Sequence, residues 1–284
     1  MPMNISLHPD PESTGTMLRQ LQETRDAFDS VAADYDGPRG NNALIQEMRG
    51  EMWRMLDSTF SSGSRLMDLG CGTGLDAVRM ARSGHYLTAM DWSQHMVERT
   101  RARAEREQMA DRIEAIAVGA HELSRMEGES RFDGAYSNLG ALNCVPDLSE
   151  MAAQCARLLK PRAALVFSII GRICPWEIWH YALQRNWERV RVRFASTMVP
   201  VRMNKRTVWT RYYTPREFYR AFEHQFVLEH FRGLCVLAPP PYLTGIKERH
   251  SRLYERLWRL DRRTAGWPVL RNLGDHFVIV MTKR

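Results

Sequence analysis

The 284-residue chain is poor in cysteine, and its five cysteines (Cys71, Cys144, Cys155, Cys174, Cys235) are scattered, with no CxxC pair among them. That spacing excludes a zinc ribbon or a disulfide framework and suits a reducing compartment; no metal is expected. Long hydrophobic runs are missing too. The longest apolar stretch, Ala163 to Ile170, is far too short to cross a bilayer. Met1 to Gly15 is polar and proline-containing, with no apolar signal core, so the expectation is a cytoplasmic chain opening on a disordered tail over residues 1–15. Internal repeats and low-complexity tracts are absent, while 44% apolar content is ample for a sizeable core. Acidic residues are scarce in one segment only. From Arg185 to Arg220, ten basic residues face Glu188 and Glu217, a local charge of +8, so the rest of the chain is near neutral beside the net +7.

What is present is centred on Leu66-Met67-Asp68-Leu69-Gly70-Cys71-Gly72-Thr73-Gly74. An apolar run ends there on an acidic residue, three glycines follow at alternate positions, and a helical pattern starts at once. A second apolar run, Tyr86 to Met90, ends on Asp91, 17 residues after Gly74, room for one helix and one strand. The unit is a β-α-β nucleoside site. Around it the chain alternates strand and helix from residue 61 to 170: a helix over 75–83, a long helix capped by Ser93, strands over 112–118 and 132–137, a helix over 148–159 and a continuous apolar strand over 163–170. This alternation predicts an α/β doubly wound sheet. Two helices, from Thr16 to about Tyr35 and from about Asn42 to Asp57, precede it and should pack against its edge or over its mouth. Beyond Gly171 the rhythm breaks into an aromatic-rich helix (174–190), a hairpin around Asn204-Lys205, a helix capped by Thr214 in a Thr-Pro-Arg-Glu box, a late strand from Phe226, a basic helix over about 247–263 and a final strand over 277–282.

The loop is not a dinucleotide fingerprint, because Leu75 stands where GxGxxG would need glycine. Asp68, just ahead of the loop, would repel a pyrophosphate and suits a ligand with a cationic amino-acid end. Asp91 is placed to accept both ribose hydroxyls. A cationic end, a ribose and no phosphate describe S-adenosylmethionine.

With Asp91-Trp92-Ser93 and Met96, with Phe132-Asp133-Gly134-Ala135-Tyr136-Ser137-Asn138 and with Leu158-Leu159-Lys160-Pro161, this stretch resembles the class I, Rossmann-like S-adenosylmethionine-dependent methyltransferases. The resemblance is firm over about 60–170 and fades beyond. It implies a mostly parallel seven-stranded sheet with an antiparallel last strand, in a single domain over 16–284. Asp68, Gly70, Cys71, Gly72 and Gly74 would cradle the methionine and ribose, Asp91 would hold the ribose, and Trp92 and Met96 would sandwich the adenine. Asn138 and Leu139 would line the site beside the methyl group. One departure concerns the adenine amino group: Gly119 stands where the family often has an acidic residue, so backbone carbonyls near Ala120, or His121 or Glu122, would have to substitute.

On the same topology, insertions over 171–213 and 238–275 should emerge at the ligand-binding edge as a cap built from Arg172, Trp176, Trp179, His180, Tyr181, Tyr212, Tyr213 and Tyr242. His121, His180 and His276 are the candidates for a general base, although each is better read as a wall or hydrogen-bonding residue. The leading expectation is methyl transfer to a small aromatic or apolar, or else anionic, acceptor. The alternatives are an RNA methyltransferase using the basic 185–220 segment, and a non-catalytic S-adenosylmethionine-binding protein. Nucleic acid is the less expected partner, since no RNA-binding module is appended and Ser137-Asn138-Leu139-Gly140 is not an Asn-Pro-Pro-Tyr-type tetrad.

Overall fold

The structure is a computed structural model that describes residues 11–38 and 40–284. Two helices come first, α1 (Pro11–Val31) and α2 (Ala43–Thr59). Most of the expected tail lies outside the described residues; residues 11–15 are already helical, so α1 begins earlier than Thr16. The Asn42 side chain accepts from the backbone N–H groups of Leu44 and Ile45, which fixes the start of α2.

The core is β1 (Arg65–Leu69), α3 (Leu75–Arg82), β2 (Tyr86–Asp91), α4 (Gln94–Arg106), β3 (Ile113–Ala117), β4 (Phe132–Ser137), α5 (Leu148–Leu158) and β5 (Leu159–Ile170). After it come α6 (Pro175–Leu183), α7 (Trp187–Val192), the hairpin β6 (Val199–Met203) and β7 (Arg206–Thr210), α8 (Pro215–Arg220), β8 (Phe226–Leu234), α9 (Thr244–Arg249), α10 (Ser251–Thr264) and β9 (His276–Lys283). The single helix expected over 174–190 is two, because Arg185 takes a positive φ of 54° between them. The basic helix is likewise divided, near His250.

Seven strands form one sheet in the order β3-β2-β1-β4-β5-β9-β8, with β9 antiparallel to both neighbours. Apolar side chains fill both faces. On one, Met48, Met52 and Leu56 of α2 pack with Val78, Val97, Val166 and Val278; on the other, α5 and α8 bury Cys155, Leu158, Phe218 and Phe222 against Phe167 and Phe277. Burial on both faces explains why β5 reads as a continuous apolar run. The carboxyl ends of β1, β2, β4 and β5 share one edge, and the amino end of β9 meets it: His276 pairs with Ile170. No described helix is long and apolar enough to cross a membrane.

Candidate active site

A cavity of about 420 Å³ opens at this edge, beside the loop that follows β1. The backbone N–H groups of Gly70 and Cys71 both donate to Met90 O at the neighbouring strand end, at 2.8 and 2.9 Å, which turns the chain sharply. Gly70, Gly72 and Gly74 have φ of 79°, 54° and 80°. Their surroundings separate their roles. A β-carbon on Gly70 would come within 2.4 Å of Ala141 Cβ, and one on Gly74 within 2.9 Å of Thr100, whereas on Gly72 the nearest atom is Tyr35 Cε1 at 3.9 Å. Gly70 and Gly74 permit close packing; Gly72 faces the cavity.

Asp91 lines the cavity, its two oxygens accepting from the Gly72 and Ser93 backbone N–H groups, each at 2.9 Å. Burial pushes its pKa up to about 6. Asp68 does not line the cavity. It lies beneath the loop, 2% exposed, and accepts from the Tyr136 hydroxyl at 3.0 Å; burial, then the nearby Asp76, raise its pKa well above the ordinary value. The acidic group that does reach the wall is Asp76, ion-paired with buried Arg49 and receiving Trp53 Nε1 at 2.7 Å and Asn138 Nδ2 at 3.2 Å. Arg49 keeps its Nε buried without a partner, and Tyr35 stands beside it in the same wall.

Trp92, Met96, Ala120 and His121 form the far wall. The Trp92 and His121 rings meet edge to face at 4.5 Å between centroids, and Arg25 lies over Trp92 at 5.4 Å. Burial pushes the His121 pKa down, so its imidazole is neutral near pH 7.

The roof comes from two segments far apart in the chain. Leu21, Thr24, Arg25 and Phe28 of α1, and Val201, Arg202, Met203, Val208 and Thr210 of the β6–β7 hairpin, all line the cavity. The two pieces are joined, for the Trp209 backbone N–H donates to Thr24 Oγ1 at 3.0 Å and its Nε1 to Glu23 at 2.7 Å. Buried Asn143 ties the hairpin's base to the sheet, giving Nδ2 to the carbonyls of Arg211 and Ile170 and receiving the Ile170 N–H. Thr73 and Arg103 both donate to Asp36, which holds the segment after α1 against the glycine loop.

Residues 66–162 match the family described as "Methyltransferase domain". With the loop, the strand order and the cavity in place, the fold is that of the class I, S-adenosylmethionine-dependent methyltransferases, and residues 66–162 resemble a methyltransferase domain. The chain is 31% identical over 166 residues to a ubiquinone biosynthesis O-methyltransferase of Alkalilimnicola ehrlichii, covering 57% of this chain and 65% of that protein. It is 26% identical over 160 residues to a demethylmenaquinone methyltransferase of Leptospira interrogans, covering 55% and 64%. It thus spans just under two thirds of the length of these relatives. Among solved structures, the 1,6-didemethyltoxoflavin-N1-methyltransferase of Burkholderia thailandensis, with bound 1,6-didemethyltoxoflavin and S-adenosylhomocysteine, superposes with a TM-score of 0.55 at 18% identity, over 99% of this chain and 93% of that one.

The matched segment carries most of the expected cofactor residues in the cavity wall: Gly70, Cys71, Gly72, Asp91, Trp92, Met96, Ala120, His121, Asn138 and Leu139. Asp68 and Gly74 lie outside it. The expected substrate residues fare differently. Trp176, His180 and Tyr181 of α6 do not line the cavity, because α6 turns elsewhere: Trp176 Nε1 donates to Leu237 O at 3.1 Å and packs on Trp179, while His180 pairs with Gln184. Arg172 is tied to Tyr212 O and Glu217, and Tyr213 sits in the core. Tyr212, Tyr242 and His276 instead line a second cavity, of about 540 Å³, that shares Ile170 with the first. The true roof was half visible: the alternating hairpin and the apolar stripe of α1 are plain in sequence, but a stripe facing a ligand looks like one facing a core. Arg49 and Tyr35 carried no local signal.

Proposed function

We propose that the chain transfers a methyl group from S-adenosylmethionine to a small aromatic or apolar acceptor. The observation that carries this reading is the closed roof. α1 and the β6–β7 hairpin cover the glycine loop and leave a cavity whose walls away from Asp91 include Leu142, Val145, Val201, Met203 and Val208, with Arg25 and Arg202 at the roof. A folded RNA would need that edge open.

The donor's residues fit the site as built. Gly72 leaves space where any side chain would intrude, Asp91 offers its remaining lone pairs to the ribose hydroxyls, and Trp92 and Met96 provide apolar surface for the adenine. Arg49, with its unpartnered Nε, is suited to the methionine carboxylate, a role the sequence reading gave to no residue. Asp68, expected at the cationic amino-acid end, serves through the loop it supports. When bound, the sulfonium supplies an electrophilic methyl group. The chain's part is orientation, which supplies up to about 7–11 kcal/mol, and exclusion of water by the roof. The two curated relatives, named for ubiquinone and demethylmenaquinone, support an acceptor of small, ring-containing type.

The test is turnover of labelled S-adenosylmethionine with a panel of small phenols and quinols against total RNA. Methylation of a small acceptor and none of RNA is expected. Methylated RNA with no small product would sink the reading.

A further inference from the structure

Helices α6 and α7 form an excursion between β5 and the roof hairpin, and no residue of either helix is fully buried. The pair is held at its foot by polar contacts. Arg193, just past the end of α7, is buried and donates to Glu177 of α6 and to Asp275 ahead of β9, at 2.6 Å each, and to Gly171 O at 2.9 Å. On the other side, Trp176 Nε1 reaches Leu237 O.

What this foot leaves outside is apolar. Trp179, Leu183, Trp187 and Phe194 are each 48% to 67% exposed. Trp179 and Leu183 are one turn apart on α6, and Trp187 and Phe194 two turns apart along and just beyond α7, so each pair shares a face. One exposed leucine on a surface is ordinary, but four large apolar side chains in one short excursion mark a surface that meets something. Arg185, Arg189 and Arg191 stand among them, exposed and in no ion pair among the described residues, and the one exposed acid is Glu188.

That mixture suits the headgroup layer of an anionic bilayer. Indole rings settle at the interface, leucine and phenylalanine reach the acyl boundary, and guanidinium groups meet lipid phosphates. Other occupants fit less well. In a two-fold dimer the patch would face itself and bring the three arginines against their own copies. Single-stranded RNA could stack on the tryptophans, but Leu183 has no face on which a base can stack. The placement agrees, because the excursion leaves β5 at the edge where both cavities open. Tyr242, hydrogen-bonded to Glu177 of α6, lines the second of them.

We propose that α6 and α7 dock the chain on an anionic membrane surface, with the four apolar side chains in the headgroup layer and the three arginines on lipid phosphates. The binding is peripheral, and it is independent of the methyl-donor reading.

The test is co-sedimentation of the full chain with vesicles of phosphatidylcholine alone, and of phosphatidylcholine with an equal share of phosphatidylglycerol. Binding to the anionic vesicles should be at least about tenfold tighter, and weaker at high salt. Arg189→Gln with Arg191→Gln should weaken it about fivefold per arginine, and Trp179→Ser with Trp187→Ser at least about tenfold. All four side chains are exposed, so urea midpoints should stay put, which separates lost docking from misfolding. In the wild-type chain, lipids brominated on their acyl chains should quench tryptophan fluorescence. No binding to anionic vesicles, equal binding to both kinds, or full binding by the Trp179/Trp187 variant would each overturn the proposal. Self-association or RNA binding that these substitutions abolish, with no lipid binding, would overturn it in favour of that partner.

Discussion

A β-carbon built on Gly119 would fall 2.4 Å from His121 Cε1. The backbone of Gly119 is ordinary, with φ −74°, so it is the imidazole first, and Trp92 Cβ at 3.2 Å second, that enforce glycine there. The missing acidic residue after β3 is thus accounted for by its neighbour: His121 lies back over Gly119 and presents its ring to Trp92. Gly119→Ala should weaken S-adenosylhomocysteine binding by about tenfold by displacing that ring, and the same change in a His121→Ala background should cost little. Calorimetric titration of the four proteins gives the coupling; additive losses would refute it.

Two of the loop glycines should fail in different ways. Gly72→Ala places a methyl group in ligand space, so affinity should fall at least about tenfold, with a stability loss of only about 1–2 kcal/mol from the positive φ. Gly74→Ala meets Thr100 within 2.9 Å and should cost an additional 1–3 kcal/mol, roughly, of overpacking. The protein that remains folded should bind the cofactor nearly normally. Urea titration and calorimetry separate the two.

Cofactor affinity should depend on Asp91. Its pKa of about 6 belongs to a buried carboxyl without ribose hydroxyls to accept from. Hydroxyl donors favour the ionised form, so affinity should be constant above pH 7 and fall by up to about tenfold per unit below pH 6. Asp91→Asn should flatten that profile at a weaker affinity.

The Arg193 cluster should dominate acid stability. Asp275, held low, contributes stability that is present above the unfolded carboxyl pKa of about 3.9 and is lost as pH falls towards its folded value. Arg193→Met leaves buried Asp275 and half-buried Glu177 without their shared cation, and should cost about 3–5 kcal/mol at pH 7, read from urea midpoints. That loss should shrink below pH 4.

The fold was legible because local signals agreed with the global one. β5 is apolar on both faces, Ser93 and Thr214 cap their helices as their sequence positions announce, and the Asn204-Lys205 turn takes positive φ at both residues, as a two-residue hairpin needs. The cofactor loop was legible for the same reason: strand, glycines and Asp91 are close in sequence. The roof was legible only in outline: both of its segments were expected near the mouth, but it unites residues 21–28 with 201–210, and no local pattern says which apolar stripe faces a ligand. α6 misled by composition: its tryptophans pack on each other and on the chain at Leu237, leaving Trp179 57% exposed. Asp68 is a subtler case. The motif predicts a carboxylate near the loop, but the register of β1 turns Asp68 towards Tyr136, and Asp76 with Arg49 supplies the charged wall.

Thermal denaturation with S-adenosylmethionine against NAD tests the central claim most directly. At 100 times its dissociation constant, S-adenosylmethionine should stabilise the chain by about 2.7 kcal/mol, a rise of roughly 5–10 °C for a chain of this size, while NAD does nothing. A rise with NAD and none with S-adenosylmethionine would contradict the account.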